Sequence, residues 1–387
     1  DSRMHFEFAT AGRIVFGDGV AATLGRETAA LGRRAFVLTG GRPDAHAALL
    51  RLLADHHVAY VPFRVTREPT TDLAIEAVAR ATAGGCDVVV GIGGGSVIDA
   101  GKVVAALLTN GGDIMDYLEV VGRGQALGRP SAPFIAVPTT AGTGAEVTRN
   151  SVLESPQHRV KVSMRSPFML PQLALVDPEL THSMPPALTA ATGLDALTQL
   201  LEAFVSRSAN PLTDGICREG LACAGRALER AWRDGSDREA RRDMCVASLC
   251  GGLALANAKL GAAHGIAGPF GGRFKAPHGA VCGRLLPFVT AANIAALRSR
   301  APEAPALERY AQAARLFTGN PAATAEDARP WLEGLCARLK MPGLAAYGYD
   351  EADAAEIVPA ALRSSSMRGN PIELTADEIR TVLDRAR

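Results

Sequence analysis

The sequence predicts two domains. An α/β domain over residues 1–184 is built on a doubly wound, mostly parallel, Rossmann-like sheet, and an all-α helical domain spans residues 185–387. Three observations predict this. At 387 residues the chain is longer than one hydrophobic core ordinarily organises. In its first half, short apolar runs alternate with amphipathic segments, as strands joined by crossover helices do. From Pro185 onward, strand-like runs almost vanish and Ala/Leu-rich helical patterns dominate.

The elements follow in order. Arg34–Thr39 reads as a strand, Pro43–His56 as a helix and Val58–Phe63 as a second strand. Leu73–Thr82 reads as a helix, Asp87–Gly91 as a strand, Ser96–Leu108 as a helix and Phe134–Val137 as a strand. The composition shifts near Asp177-Pro178, and Pro186 suits the first turn of a helix.

Composition narrows the function. Hydrophobic residues make up 48% and charged residues 21%, which is globular. With 41 basic and 40 acidic residues the net charge is +1, so neither a nucleic-acid groove nor a polybasic membrane anchor is expected. No apolar run approaches the ~20 residues of a bilayer span, and no signal-peptide pattern opens the sequence. Seven scattered cysteines without a Cys-x-x-Cys fit a reducing cytoplasm rather than a disulfide framework. A small-molecule partner remains.

Val88-Val89-Val90 runs directly into Gly91-Ile92-Gly93-Gly94-Gly95-Ser96-Val97-Ile98-Asp99-Ala100-Gly101-Lys102. Three consecutive glycines remove every Cβ from the turn and let another molecule approach the backbone. Ser96 can cap the helix that follows, whose N-terminal N–H groups suit a phosphate. The spacing is neither Gly-x-Gly-x-x-Gly nor a P-loop, so a tight turn is the alternative. A second stretch, Pro138-Thr139-Thr140-Ala141-Gly142-Thr143-Gly144-Ala145-Glu146-Val147-Thr148, puts four hydroxyls and two glycines after a strand end. It suits a phosphate or a nicotinamide amide, or else a Thr-rich turn.

In Gly193-Leu194-Asp195-Ala196-Leu197-Thr198-Gln199, Asp195 and Gln199 stand four apart on one helix face. Leu194, Leu197, Leu201 and Phe204 form the core stripe. A carboxylate in such a helix needs a partner. A neighbouring backbone group could supply it. Alternatively, His264 and His278, each among small residues, complete a carboxylate–imidazole set suited to Fe²⁺ or Zn²⁺.

At these residues the chain resembles the iron-containing (group III) alcohol dehydrogenases. The resemblance rests on Arg13-Ile14-Val15-Phe16-Gly17, Gly93-Gly94-Gly95-Ser96 with Asp99, the Thr-rich stretch, Leu175-Val176-Asp177-Pro178, Gly193–Leu197, His264-Gly265 and Pro277-His278-Gly279. It implies the dehydroquinate synthase-like fold of that family, NAD(P) in the cleft between the domains, and a homodimer. It also implies a divalent metal held by one Asp and three His. Asp195, His264 and His278 match three ligands and the catalytic positions. Gln199 stands where the remaining His is usual, and Gly268 where many relatives carry a His near the nicotinamide.

The cofactor positions implied are Gly40, Gly41, Arg42, Gly94, Gly95, Ser96, Asp99, Thr139, Thr140, Thr143 and Lys161. No acid stands at the end of the Arg34–Thr39 strand before Asp44, and Arg42 can pair with a 2′-phosphate, so NADP is expected to be tolerated or preferred. The expected reaction is hydride transfer between nicotinamide and a small alcohol or carbonyl compound. Arg273 and Lys275 could favour an anionic aldehyde, or be solvated loop charges; Phe270 and Phe274 are pocket walls or core. Two other readings are a maleylacetate reductase-like enzyme, working without metal, and a nucleotide-binding protein without catalysis.

Overall fold

The computed structural model describes residues 5–158 and 160–387. The chain forms two compact units. Thr10–Thr140 and Ala145–Thr181 make an α/β unit; His182–Arg387 makes a helical unit that also gathers Ala141–Gly144 and residues 5–9.

In the α/β unit the strands are β1 (Arg13–Phe16), β2 (Arg34–Thr39), β3 (Ala59–Arg64), β4 (Val88–Gly93), β5 (Phe134–Pro138), β6 (Asn150–Ser155), β7 (Val160–Arg165) and β8 (Leu173–Val176). Six of them form a sheet in the order β1-β8-β5-β4-β2-β3, with parallel pairing throughout the described residues. β6 and β7 form a separate antiparallel pair. The helices are α1 (Leu24–Leu31), α2 (Ala47–Asp55), α3 (Thr71–Ala83), α4 (Gly95–Asn110) and the single turn α5 (Ile114–Tyr117).

Helices cover both faces because the buried strands alternate with period two. Phe36, Leu38 and Val89 pack with Ala77, Ala81, Val97 and Ile98 of α3 and α4. Ala35, Val37, Val88, Val90 and Ile92 pack on the other face with Leu24, Leu49 and Leu53 of α1 and α2. Each expected strand and helix is present within a few residues. One difference is local: Pro43–His46 is a 3₁₀ turn leading into α2. β1, β8 and the β6–β7 pair were not anticipated as strands. They are short, or carry polar residues that blur the apolar run.

The helical unit contains α6 (Pro186–Val205), α7 (Pro211–Arg233), α8 (Arg238–Asn257), α9 (Ala262–Phe274), α10 (His278–Arg300), α11 (Pro305–Thr318), α12 (Ala328–Arg338), α13 (Ala354–Arg363) and α14 (Ala376–Ala386). α6 is buried over nearly its whole circumference from Gly193 to Val205, so it is the central helix. α10 departs from the sequence expectation that no segment reaches bilayer length. Its 23 residues are long and apolar enough to cross a membrane, but 78% of its apolar window is buried inside the protein. It is a core helix.

Candidate active site

In the α/β unit, β2 and β4 are neighbours whose onward connections run to opposite sides of the sheet, β2 to β3 and β4 to β5. Ligands of such sheets bind outside the carboxyl ends of the strands at this reversal. Gly40, Gly41 and Arg42 follow β2, and Gly94, Gly95 and Ser96 follow β4. Thr139 and Thr140 follow β5, and the Thr139 N–H donates to the Gly93 carbonyl at 2.9 Å. A Cβ on Gly40 or Gly41 would meet nothing within 4 Å, so that turn borders open space. Arg64, at the end of β3, donates to the Gly41 carbonyl. Arg42 follows β2 in this turn, and the Arg64 guanidinium reaches the same turn.

Ser96 does not cap α4. Gly94 is the N-cap and no side chain accepts from the first turn, because the helix starts one residue earlier than the sequence suggested. The helix start is thus left to its backbone N–H groups. Asp99 and Lys102 turn toward the β6–β7 pair. The Asp99 carboxylate accepts from the Val152 N–H at 3.0 Å, and the Lys102 ammonium donates to Thr148 Oγ1 at 2.8 Å and to the Asn150 carbonyl at 2.9 Å. Both side chains tie the strand pair to α4. Lys161, on β7, lies 2.6 Å from a Glu68 carboxylate oxygen. Thr143 belongs to the segment Ala141–Gly144, which clusters with the helical unit.

In the helical unit, α6 carries Asp195, Gln199 and Glu202 on one face, at offsets of zero, four and seven. α10 lies close to that face because it presents glycine there. A Cβ on Gly279 would stand 2.3 Å from the Ala191 carbonyl oxygen and 2.9 Å from Asp195 Cβ. A Cβ on Gly283 would stand 2.6 Å from Leu194 Cβ. This contact brings His278, at the start of α10, to Asp195: His278 Nε2 is 3.9 Å from Asp195 Oδ1. His264 enters from the first turn of α9, with Nε2 3.4 Å from Asp195 Oδ1. The two imidazole centroids are 5.4 Å apart.

Glu202 sets the orientation of His264. Its carboxylate lies 2.7 Å from His264 Nδ1 and accepts the backbone N–H groups of Gly261 at 3.0 Å and Ala263 at 2.5 Å. The anion thus caps α9 and accepts a hydrogen bond from Nδ1–H, fixing the ring with Nε2 toward Asp195. Cys282, one turn after His278, completes the cluster: its sulfur is 3.5 Å from His278 Nε2. One donor atom each from Asp195, His264, His278 and Cys282 lies within 4.8 Å of every other.

Electrostatics follow from this crowding. Burial favours a neutral Asp195 carboxyl, but the His264 and His278 contacts outweigh it and hold the acid below its ordinary range. Burial likewise opposes a Cys282 thiolate, and the same two imidazoles draw the thiol below its usual value. Cys250 and Cys336, buried without such partners, are pushed up to about 12.

Asp195 Oδ1, His264 Nε2 and Gln199 Oε1 are buried and lack any hydrogen-bond partner. Each orphaned acceptor costs on the order of 1–3 kcal/mol. A divalent cation bound by Asp195 and His264 satisfies two of these acceptors together, so the residues fit the metal. Gln199 Oε1 lies against Gly251 of α8, 3.0 Å from where a Cβ would stand.

Sequence reading missed Glu202 and Cys282. Both carry a signal in hindsight, being polar residues at helical spacing from Asp195 and His278 in apolar helices. Arg273 is already engaged by other side chains. Arg273 pairs with Asp353 at 2.7 Å and with Glu356, which neutralises it. Phe270 is core: it is fully buried and packs on Phe274 and Tyr349.

Comparison with known proteins identifies the family. Residues 11–178 match the family described as iron-containing alcohol dehydrogenase, and residues 189–387 match the C-terminal domain of the Fe-containing alcohol dehydrogenase family. Alcohol dehydrogenase 4 of Schizosaccharomyces pombe is 38% identical over 302 residues, which is 78% of this chain and 69% of that protein. The crystal structure of a 1,3-propanediol oxidoreductase superposes with a TM-score of 0.92 at 32% identity, covering 100% of both chains. A sulfoacetaldehyde reductase from Bifidobacterium kashiwanohense, solved with NAD⁺, superposes with a TM-score of 0.88 at 29% identity, covering 99% of this chain and 98% of that one. With both halves matched and buried donors gathered on α6, α9 and α10, the chain belongs to the iron-containing alcohol dehydrogenase family, whose members are oxidoreductases acting on alcohols.

Proposed function

We propose that this chain is an NAD(P)-dependent alcohol dehydrogenase, or aldehyde reductase, for a small alcohol–carbonyl pair. The observation that carries the reading is the buried, unpartnered Asp195 Oδ1 and His264 Nε2 beside His278. Asp195, His264 and His278 would hold the divalent metal, and Glu202 fixes the His264 imidazole for that role. When bound, the metal supplies a Lewis acid for the substrate oxygen and the nicotinamide supplies the hydride.

The chain's own residues position and neutralise. The start of α4 offers backbone N–H groups from Gly95 and Ser96 to a pyrophosphate. Arg42 and Arg64 at the ends of β2 and β3 favour a 2′-phosphate, which supports NADP as a substrate of this enzyme. Gly268 carries no titratable group, and a Cβ there would meet nothing within 4 Å. The proton therefore passes through water or a hydroxyl of the cofactor or substrate. The pairing of Arg273 with Asp353 and Glu356 leaves its charge less available to an anionic aldehyde, which supports neutral short aldehydes as substrates.

A maleylacetate reductase-like reaction without metal leaves the buried Asp195 and His264 acceptors unsatisfied, and an inactive nucleotide-binding protein has no use for them. The test is NADPH and NADH oxidation by chelator-treated enzyme against a panel of neutral and carboxylated aldehydes, with and without added Fe²⁺ or Zn²⁺. Metal-dependent reduction of neutral aldehydes is expected. Undiminished activity without metal, on a carbon–carbon double bond substrate alone, overturns the proposal.

A further inference from the structure

We infer that Cys282 is the fourth protein ligand of the metal, so that the centre is an Asp/His/His/Cys set suited to Zn²⁺. This rests on the dehydrogenase reading of the same site and adds a ligand that the sequence resemblance does not supply.

The first argument is position. Cys282 lies four residues after His278 on α10, so both project from one helix face toward Asp195. The sulfur and the Asp195, His264 and His278 donor atoms lie within 4.8 Å of one another. Four ligands about 2.0–2.3 Å from one zinc ion stand roughly 3.5 Å apart. The 3.4 Å, 3.5 Å and 3.9 Å separations seen here need only small side-chain adjustments to reach that arrangement. Gly279 and Gly283, flanking His278 and Cys282, are what allow α10 to come this near to α6.

The second argument is the weakness of the alternative. Position 199 carries a neutral amide, a poorer donor than imidazole. Its oxygen lies against Gly251 on α8.

The third argument is charge. Asp195 is almost wholly buried and His264 nearly so. Among the directly bonded donors, a dication with one carboxylate and neutral ligands carries +1 and a thiolate ligand balances it, while the nearby Glu202 carboxylate is held by the backbone amides at the start of α9. When the S–metal bond forms, the S–H bond breaks and its proton leaves to solvent; no electron changes hands. Thiolate with imidazole is a donor set that suits Zn²⁺ better than the harder divalent ions Mg²⁺, Ca²⁺ and Mn²⁺. Four protein ligands still leave zinc able to expand to five and accept a substrate oxygen.

The experiment is a cobalt titration of the full-length, chelator-treated protein, read by absorption rather than by turnover. A thiolate-to-cobalt charge-transfer band in the near ultraviolet is expected to grow to one equivalent. It is expected to be absent in Cys282→Ala and retained in Gln199→Ala. Zinc affinity of Cys282→Ala is expected to fall by at least the ~10–100-fold typical of outer-shell changes. Since the wild-type spectrum needs no variant, misfolding of Cys282→Ala cannot mask the answer. Stoichiometric cobalt without the band, the band persisting in Cys282→Ala, or wild-type zinc affinity in that variant each overturns the assignment. If cobalt binds without the band and Asp195→Ala abolishes binding, the thiol ligand falls while the metal-dependent dehydrogenase stands. If the wild type binds no metal, both fall.

Discussion

Glu202 and His264 are joined at 2.7 Å, carboxylate oxygen to Nδ1, across the junction of α6 and α9. This contact couples helix capping to ligand orientation. The same carboxylate that holds the imidazole also satisfies backbone N–H groups at the start of α9. Glu202→Ala should therefore lower metal affinity about 10–100-fold, as loss of an outer-shell partner does. It should also destabilise the fold by on the order of 1–3 kcal/mol for each amide left unsatisfied. Glu202→Gln keeps an acceptor and should lose less of both. Metal titration beside denaturant unfolding measures the two effects; unchanged metal affinity in Glu202→Ala refutes the orienting role.

Gly279→Val tests the approach of α10 to α6. Even the first added carbon would stand 2.3 Å from the Ala191 carbonyl oxygen and 2.9 Å from Asp195 Cβ. Overpacking of this kind costs roughly 1–3 kcal/mol, and here it also moves His278 and Cys282 away from Asp195. Unfolding midpoint and metal stoichiometry should fall together. A variant that binds metal normally would show that the helix contact does not position the ligands.

Arg42→Ala should lower kcat/KM with NADP by about 10–100-fold, the equivalent of a lost hydrogen bond to a charged group, and leave NAD nearly unchanged. Steady-state kinetics with both cofactors decide it. An equal loss with both would show that Arg42 does not meet the 2′-phosphate.

The α/β unit carries a pH signature. Burial raises the Glu146 carboxyl from 4.5 to about 7, with the Lys102 charge only partly offsetting this. A carboxyl raised on folding gives stability that is complete below its unfolded value and is lost as pH rises through the folded one. Between pH 4.5 and about 7, wild type should therefore lose stability relative to Glu146→Gln, by up to roughly 3 kcal/mol. Denaturant unfolding at several pH values reads the difference. A constant difference across this window contradicts the assignment.

Much of the architecture is legible in the sequence, and the exceptions have physical causes. β2, β4 and β5 announce themselves because both sheet faces are buried and their residues are continuously apolar. The β6–β7 pair does not, since it alternates buried and exposed positions and carries charged residues along with small ones. Asp195, His264 and His278 could be named from their local motifs and from family resemblance. Their convergence could not, because it depends on Gly279 and Gly283 letting two helices touch. Cys282 escaped notice since a cysteine in an apolar helix ordinarily packs as a small hydrophobe. Glu202 escaped because its partners, the Gly261 and Ala263 amides, lie about sixty residues away.

The most direct measurement is the rate of aldehyde reduction by Asp195→Ala, loaded with metal under the same conditions as wild type. The account predicts that metal content collapses and turnover falls by several kcal/mol of transition-state stabilisation, on the order of a hundredfold or more. Full turnover by Asp195→Ala would contradict it.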